Sequence, residues 1–231
     1  MYNAVLVRKL EQRSLELEQR LCELDAAHQR IARLNHLYAA LSDTNQAIVH
    51  CSDRDTLFNA LCRIAVERGG LRMAWVGLVD ETTGEVKPVA RCGEEPAWLG
   101  RLAPLRMRGV SRTLAEWSLA RGEPYVCNDL LADPALAPLY EDYRHHGFAA
   151  GACHPLRIDG RIVGSLALYA AERDFFDHEL NHLVQEMVTD VCFALSNFDK
   201  EAGRRAAEEA NRLSSSAVQA SANGIMLLSR K

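Results

Sequence analysis

Two apolar runs, AGACHPLRI and RIVGSLALYA, are separated only by Asp159-Gly160. Asp-Gly accepts the positive φ angles of a two-residue turn, so residues 150–170 read as a β-hairpin. A hairpin commits this part of the chain to antiparallel pairing. A second one is predicted upstream, where Arg72–Asp80 reads as a buried strand, ETTGE as its turn and VKPVAR as its partner. EPYVCND is a further short strand, and LLADPALAPLYEDYRHHG a proline-broken loop with helical turns.

Helical patterns flank these strands. Residues 1–33 contain neither Gly nor Pro. Val7, Leu10, Leu17, Leu21, Leu24 and Ile31 occupy a and d positions of one heptad register, with Ser14 and His28 at the other two a positions. Such a narrow seam favours a two-stranded coiled coil over a core helix. After Leu34 the pattern changes, and Leu37, Tyr38, Leu41 and Ile48 suggest a helix entering a core. Ser52–Arg68 follows as a second helix, with Ser52 and Asp55 resembling a capping box and Gly69-Gly70 as its stop. GEEPAWLGRL suggests a short helix, SRTLAEWSLARG a longer one, and a long helix starts near Asp177 and runs past Phe198. The Ala-rich, charged segment EAGRRAAEEANRL continues it, and SSSAVQASANGIMLLSRK starts a pattern that stops before a core could form.

A net charge of -4 without a basic stripe gives no reason to expect nucleic acid or an anionic membrane surface as partner. No apolar run approaches the length of a membrane span. The seven cysteines are odd in number and none forms C-x-x-C, which points to a reducing compartment, the cytoplasm.

One motif demands separate treatment. His178-Glu179-Leu180-Asn181-His182 is H-E-x-x-H, the spacing by which a helix presents two zinc ligands and a general base. On the same wheel Leu180, Leu183, Val184, Met187, Val191 and Leu195 lie opposite the histidines, which places the motif in solvent. No G-x-x-H follows His182. The motif reads as accidental, and neither a metal nor another cofactor is expected.

The order helix, helix, hairpin, mixed middle, hairpin, long helix resembles a GAF domain of bacterial sensor proteins. LRMAWVGLVDETTGEVKPVARCG, PYVCNDLLADP, HGFAAGACHPLRIDGRIVGSLALYA and FFDHELNHLVQEMVTDVCFAL carry the resemblance. It is especially to GAF domains ahead of diguanylate cyclase and phosphodiesterase output domains. It implies an α+β fold: an antiparallel sheet of five or six strands, helices on one face and a small-molecule pocket on the other, with long flanking helices. The organisation is then a coiled-coil signalling helix at 1–33, a GAF domain at 34–198, and at 199–231 a linker helix with the start of a PAS-like domain. The implied function is non-catalytic sensing and homodimerisation through both helical flanks, relayed to a covalently linked downstream domain. Gly109-Val110-Ser111-Arg112 departs from the family's usual G-P-x-G before the middle helix.

Candidate ligand contacts on the loop-and-strand side are Trp75, Trp98, Trp117, Cys127, Asn128, Asp129, Tyr140, Tyr143, His146 and Cys153. Aromatic walls with a few polar groups suit a small organic molecule. Asp129 also suits a loop-capping role. The dimer interface is expected at Leu10, Leu17, Leu21, Leu24 and Ile31. The Asn-Lys…Phe-x-x-x-Asp-Glu pattern of cyclic-nucleotide binders is matched only in part, by Asn128, Phe175 and Glu179. Cys153-His154 resembles a bilin site but falls in a strand, and His146 and His154 are the haem-ligand candidates. Free-methionine-sulfoxide reductases share the fold and use pocket cysteines. Thiol redox chemistry by Cys127 or Cys153, with Cys92 near, is the enzymatic alternative, and a ligand-free dimer spacer the structural one.

Overall fold

The computed structural model of the chain describes residues 2–94, 99, 105–106 and 113–228. Its elements are α1 (Tyr2–His50), α2 (Arg54–Glu67), β1 (Met73–Val79), β2 (Glu85–Gly93), β3 (Leu105–Arg106), α3 (Leu114–Arg121) and β4 (Tyr125–Cys127). A 3-10 turn (Pro134–Leu139), α4 (Tyr140–His146), β5 (Ala150–Ile158), β6 (Arg161–Ala170) and α5 (His178–Leu228) follow. Trp98, the short helix expected in GEEPAWLGRL apart from Leu99, and Gly109–Arg112 lie outside the described residues.

The strands form one sheet in the order β3-β2-β1-β6-β5-β4, and each neighbouring pair is antiparallel. The β5–β6 hairpin closes through Asp159 (φ 49°) and Gly160 (φ 81°), the turn that the Asp-Gly dipeptide predicts. Residues 80–84 close the β1–β2 hairpin, where Asp80 Oδ1 accepts from the amides of Thr82 and Thr83. At α2 the capping differs from expectation. Asp53, one residue after Ser52, is the N-cap and accepts from Thr56 N at 2.8 Å. A carboxylate at that position also complements the helix dipole, so it outcompetes the preceding hydroxyl.

Alternation along the strands creates two layers. On one face, Ala74 and Val76 of β1, Ala152 and Leu156 of β5, and Leu166 and Leu168 of β6 pack against α2 and α5. Phe58, Leu61, Leu180 and Val184 are among the helix residues that cover them. On the other, Met73, Trp75, Cys153, Ala167 and Tyr169 lie under α3, α4 and the 3-10 turn. Full burial of a side chain such as Phe58 or Leu61 contributes roughly 1.5–3 kcal/mol, so each layer is a substantial core.

The long helices run the same way. Arg30 of α1 pairs with Asp177 (3.4 Å) and Glu179 (3.1 Å) where α5 starts, and farther along Leu41 and Asn45 face His182, Gln185 and Thr189 across a shared groove. Every side chain from Arg8 to Ala32 is exposed, as is every one from Ala202 to Arg212. At the exit of α5, Asp199 pairs with Arg54 of α2, and Lys200 lies 3.8 Å from Asp159 in the β5–β6 turn. Two expectations need correcting. Tyr38 does not enter the core but stands 52% exposed, because the residues that turn inward are Leu37, Ala40 and Thr44. And α5 continues unbroken to Leu228, through the serine-rich stretch expected to start a new pattern.

Candidate functional site

The layer opposite the long helices gathers several of the expected ligand contacts. Trp75 from β1, Cys127 from β4, Tyr143 from α4 and Cys153 from β5 are buried in one cluster, and Tyr140 packs at its edge. Local sequence explains how they are held. Thr113 caps α3 by accepting from Glu116 N at 3.1 Å, and Gly122 ends it in a left-handed conformation (φ 69°). Asp133 caps the 3-10 turn, and Gly147 ends α4 at φ 65°. These stops set short helices over the sheet.

Two residues absent from the expected set complete the layer. Tyr169 and Phe148 stack at 5.0 Å between ring centroids, and Tyr143 lies 6.1 Å from Tyr169. The Trp75 indole and the Tyr143 and Tyr169 phenols lie near one another, so three polar tips converge inside an apolar layer. Burial pushes both phenols well above the usual tyrosine range, and they remain neutral hydrogen-bonding groups at physiological pH. Tyr169 was legible in principle: in SLALYA the alternation places Ser165, Ala167 and Tyr169 on one face.

Other expected residues sit at the margin. Trp117 is half-buried, stacks on Tyr125 at 4.4 Å and carries the Arg121 guanidinium 4.5 Å above its ring. His146 stacks on Phe148 at the rim. Asn128 and Asp129 turn toward a different structure, the loop leading into α5. The Asn128 side chain donates to Phe176 O and accepts from Phe176 N, both at 2.9 Å, and its carbonyl accepts from Asp174 N. Asp129 accepts from Leu131 N, which is the loop-capping role, and pairs with Arg173 at 3.3 Å. The same loop is tied to α1 by Arg33, which pairs with Glu172 and lies over Phe175, and by Arg30.

The sheet separates the three cysteines of the redox reading. Cys92 pairs across from Ala74 and packs on the long-helix side near Cys62. Cys127 and Cys153 share the other layer but are diagonal neighbours, since Cys127 pairs with Gly151 and Tyr125 with Cys153. Such neighbours have Cα atoms about 7–8 Å apart, outside the usual reach of a disulfide. Burial pushes the Cys153 thiol up to about 12, partly opposed by Ser165 and Ser118, and also raises that of Cys127. Neither is an activated thiolate.

His154 faces the long-helix side, beneath α5, and not the layer of Cys153. It is 1% exposed, its Nε2 has no hydrogen-bond partner, and burial lowers its pKa to about 4. In the H-E-x-x-H stretch both histidines are exposed while Leu180, Leu183 and Val184 are buried, as the helical wheel predicts. Asp177 caps the helix through Glu179 N and Leu180 N, Glu179 pairs with Arg30, and His182 lies 3.5 Å from Glu186. Among the described residues no group of three or more His, Cys, Asp and Glu is placed to hold a metal. No helix among them is long and apolar enough to cross a membrane.

A GAF domain family model matches residues 51–196. No curated protein matches in sequence. The fold is similar to that of a free methionine-R-sulfoxide reductase from Neisseria meningitidis, at 17% identity and a TM-score of 0.59 over 72% of this chain and 91% of that one. It is equally similar to the GAF domain of a phosphoenolpyruvate-protein phosphotransferase from Coxiella burnetii (17% identity, TM-score 0.59, 74% of this chain and 98% of that one). A domain of a sensor histidine kinase protein from Sinorhizobium meliloti gives 18% identity and a TM-score of 0.51 over 66% and 97% of the two chains.

Proposed function

The chain belongs to the GAF domain family, and from that premise we propose that it is a non-catalytic sensory and dimerisation module of a cytoplasmic bacterial signalling protein. It binds a small molecule in the aromatic layer, or relays dimer geometry, and passes the change along α5 to a downstream output domain. The observation that carries this reading is the loop at 171–177. Through Asn128 and Asp129 it is tied to the end of β4, beside the aromatic layer; through Arg30 and Arg33 it is tied to α1; and it leads directly into α5. A shift in either the layer or α1 therefore acts on the first turn of the helix that leaves the domain.

Native mass spectrometry of the purified protein, compared with a denatured spectrum, tests the reading. A dimer, with or without a bound small molecule, is the expected result. Replacing Leu17 and Leu24 by Glu should dissociate it, because both stand about 60% or more exposed on the single chain and charge at a and d positions opposes pairing. A monomeric wild-type protein would refute the dimerisation half.

The second reading, a thiol enzyme of the free-methionine-sulfoxide reductase type, draws on Cys127 and Cys153 sharing the aromatic layer. It requires stoichiometric thiol loss on adding free methionine sulfoxide, abolished by Cys127→Ser. The raised thiol pKa values weigh against it.

A further inference from the structure

Strand β2 carries an extra residue. Its register against β1 shifts between Val76 and Gly77: Ala90 pairs with Val76 but Pro88 with Gly77, so Val89 is an unpaired bulge. The bulge resets which side chains face which layer. Val86 lies in the aromatic layer, whereas Ala90, an even number of residues later, lies on the helix side. Past the bulge, Arg91 stands directly opposite Trp75 and shares its face. Without the extra residue, alternation would turn the Arg91 side chain into the aliphatic layer. Instead a cationic side chain occupies the strand position next to the indole. Arg91 is exposed and Trp75 is 1% exposed, so the cation marks the solvent edge of the layer and the indole lies behind it.

The buried member of this pair lacks an acceptor. Trp75 Nε1 has no hydrogen-bond partner among the described residues, and an indole N–H only donates. The ring is fixed by close approach: a Cβ on Gly77 would stand 2.7 Å from its Cζ3, so glycine makes room for the benzo edge. The N–H lies on the opposite edge. A guanidinium also only donates, so both groups ask for an acceptor. Among the described residues no carboxylate is buried, and a cationic ligand would find no counter-charge inside the layer. An anionic oxygen suits both donors. A carboxylate matches them in number, because one oxygen pair accepts the guanidinium fork and a remaining lone pair accepts the indole N–H. A phosphoryl group brings a second charge and more oxygens than these donors satisfy. The surrounding walls, Met73, Leu114, Leu139 and the aromatic rings, demand an apolar body.

We infer that the aromatic layer recognises a small monocarboxylate with an apolar body, its carboxylate held between the Arg91 guanidinium at the edge of the layer and the Trp75 indole N–H. The inference rests on the small-molecule half of the function proposed above and names its ligand class.

The test titrates phenylacetate and isovalerate into the full chain, with phenylacetamide and phenethylamine as neutral and cationic counterparts. Calorimetry reads the affinity, and heteronuclear NMR reads the indole N–H signals, that of Trp75 being identified by its loss in Trp75→Phe. An acid should bind and move the Trp75 indole proton downfield, while the amide binds about tenfold more weakly or less and the amine not at all. Arg91→Gln should weaken acid binding about tenfold or more without moving the unfolding midpoint. Lys87→Gln removes the same charge from the other face of β2 and should leave the affinity unchanged. Preference for the amide or the amine overturns the carboxylate assignment and leaves the sensing reading standing. Acid binding that is indifferent to Arg91→Gln, or that leaves the Trp75 signal in place, overturns the proposed site. Binding of none of the four overturns the inference. A small molecule retained in the native mass spectrum would then keep the sensing reading, and an empty spectrum would leave dimer geometry as the signal.

Discussion

On the long-helix side of the sheet the packing is largely aliphatic, built by Leu, Val, Ala and Met of α2 and α5 around Phe58, with Phe175 and Phe176 packed edge to face at the margin. On the opposite side it is aromatic, with Trp75, Tyr143, Phe148 and Tyr169 under short helices and turns. Aliphatic packing is non-directional and gives a firm platform. The aromatic layer holds indole and phenol tips in a low-dielectric interior, where a polar group must find a partner. That difference assigns the two faces separate work. On the function proposed above, the helix side maintains the fold and transmits, while the aromatic side is the one that recognises.

The contrast can be broken most severely at Phe58. Phe58→Ala should lower stability by about 3–5 kcal/mol, read from denaturant unfolding, because it leaves a cavity in the fully buried helix-side layer. Next comes acid. His154 has an ordinary pKa of 6.5 when unfolded and about 4 when buried, so the unfolded chain binds more protons between these values. Its contribution is complete above pH 6.5 and is lost as pH falls toward 4, a difference of roughly 3 kcal/mol. His154→Leu should flatten that part of the stability–pH curve, and a curve unchanged by the substitution would mean that His154 is not the group responsible. Asn128→Ala should cost about 1–3 kcal/mol by unpairing the Phe176 backbone. Its sharper sign is faster amide exchange confined to residues 174–180 and the first turn of α5. Tyr143→Phe should change stability by about 1 kcal/mol or less. If the aromatic side is the recognising side, this last change should still reduce small-molecule binding, seen as loss of a ligand-induced rise in Tm.

Much of the fold was open to local reading because its signals are local. Asp159-Gly160 gives the hairpin, Gly122 the end of α3, and alternation in MAWVGLV and SLALYA the strands. The misplacement of Tyr38 has a clear physical source. The inward and outward stripes of α1 both obey a helical period, and sequence alone does not say which one the domain covers. The site was harder. Asn128 and Phe176 are 48 residues apart, and a side-chain clamp on a backbone leaves no periodic trace. Cys153 and His154 are adjacent in sequence yet lie on opposite faces of the sheet, so the pair that resembled one site belongs to two environments.

The paired charges at the exit of α5 carry a mechanical consequence. Asp199 with Arg54 and Lys200 with Asp159 hold the helix at the rim of the sheet, and beyond them it runs on to Leu228. That projecting arm is roughly 43 Å long at 1.5 Å per residue. The rim is its fulcrum, so a tilt of about 5° at the sheet becomes a displacement of about 4 Å at the far end. The fulcrum is built from one half-buried and one exposed ion pair, and the hold of the exposed pair in particular weakens as ionic strength rises. If the proposed relay operates, a small tilt at the sheet is thereby amplified to the scale of a side chain, by leverage alone.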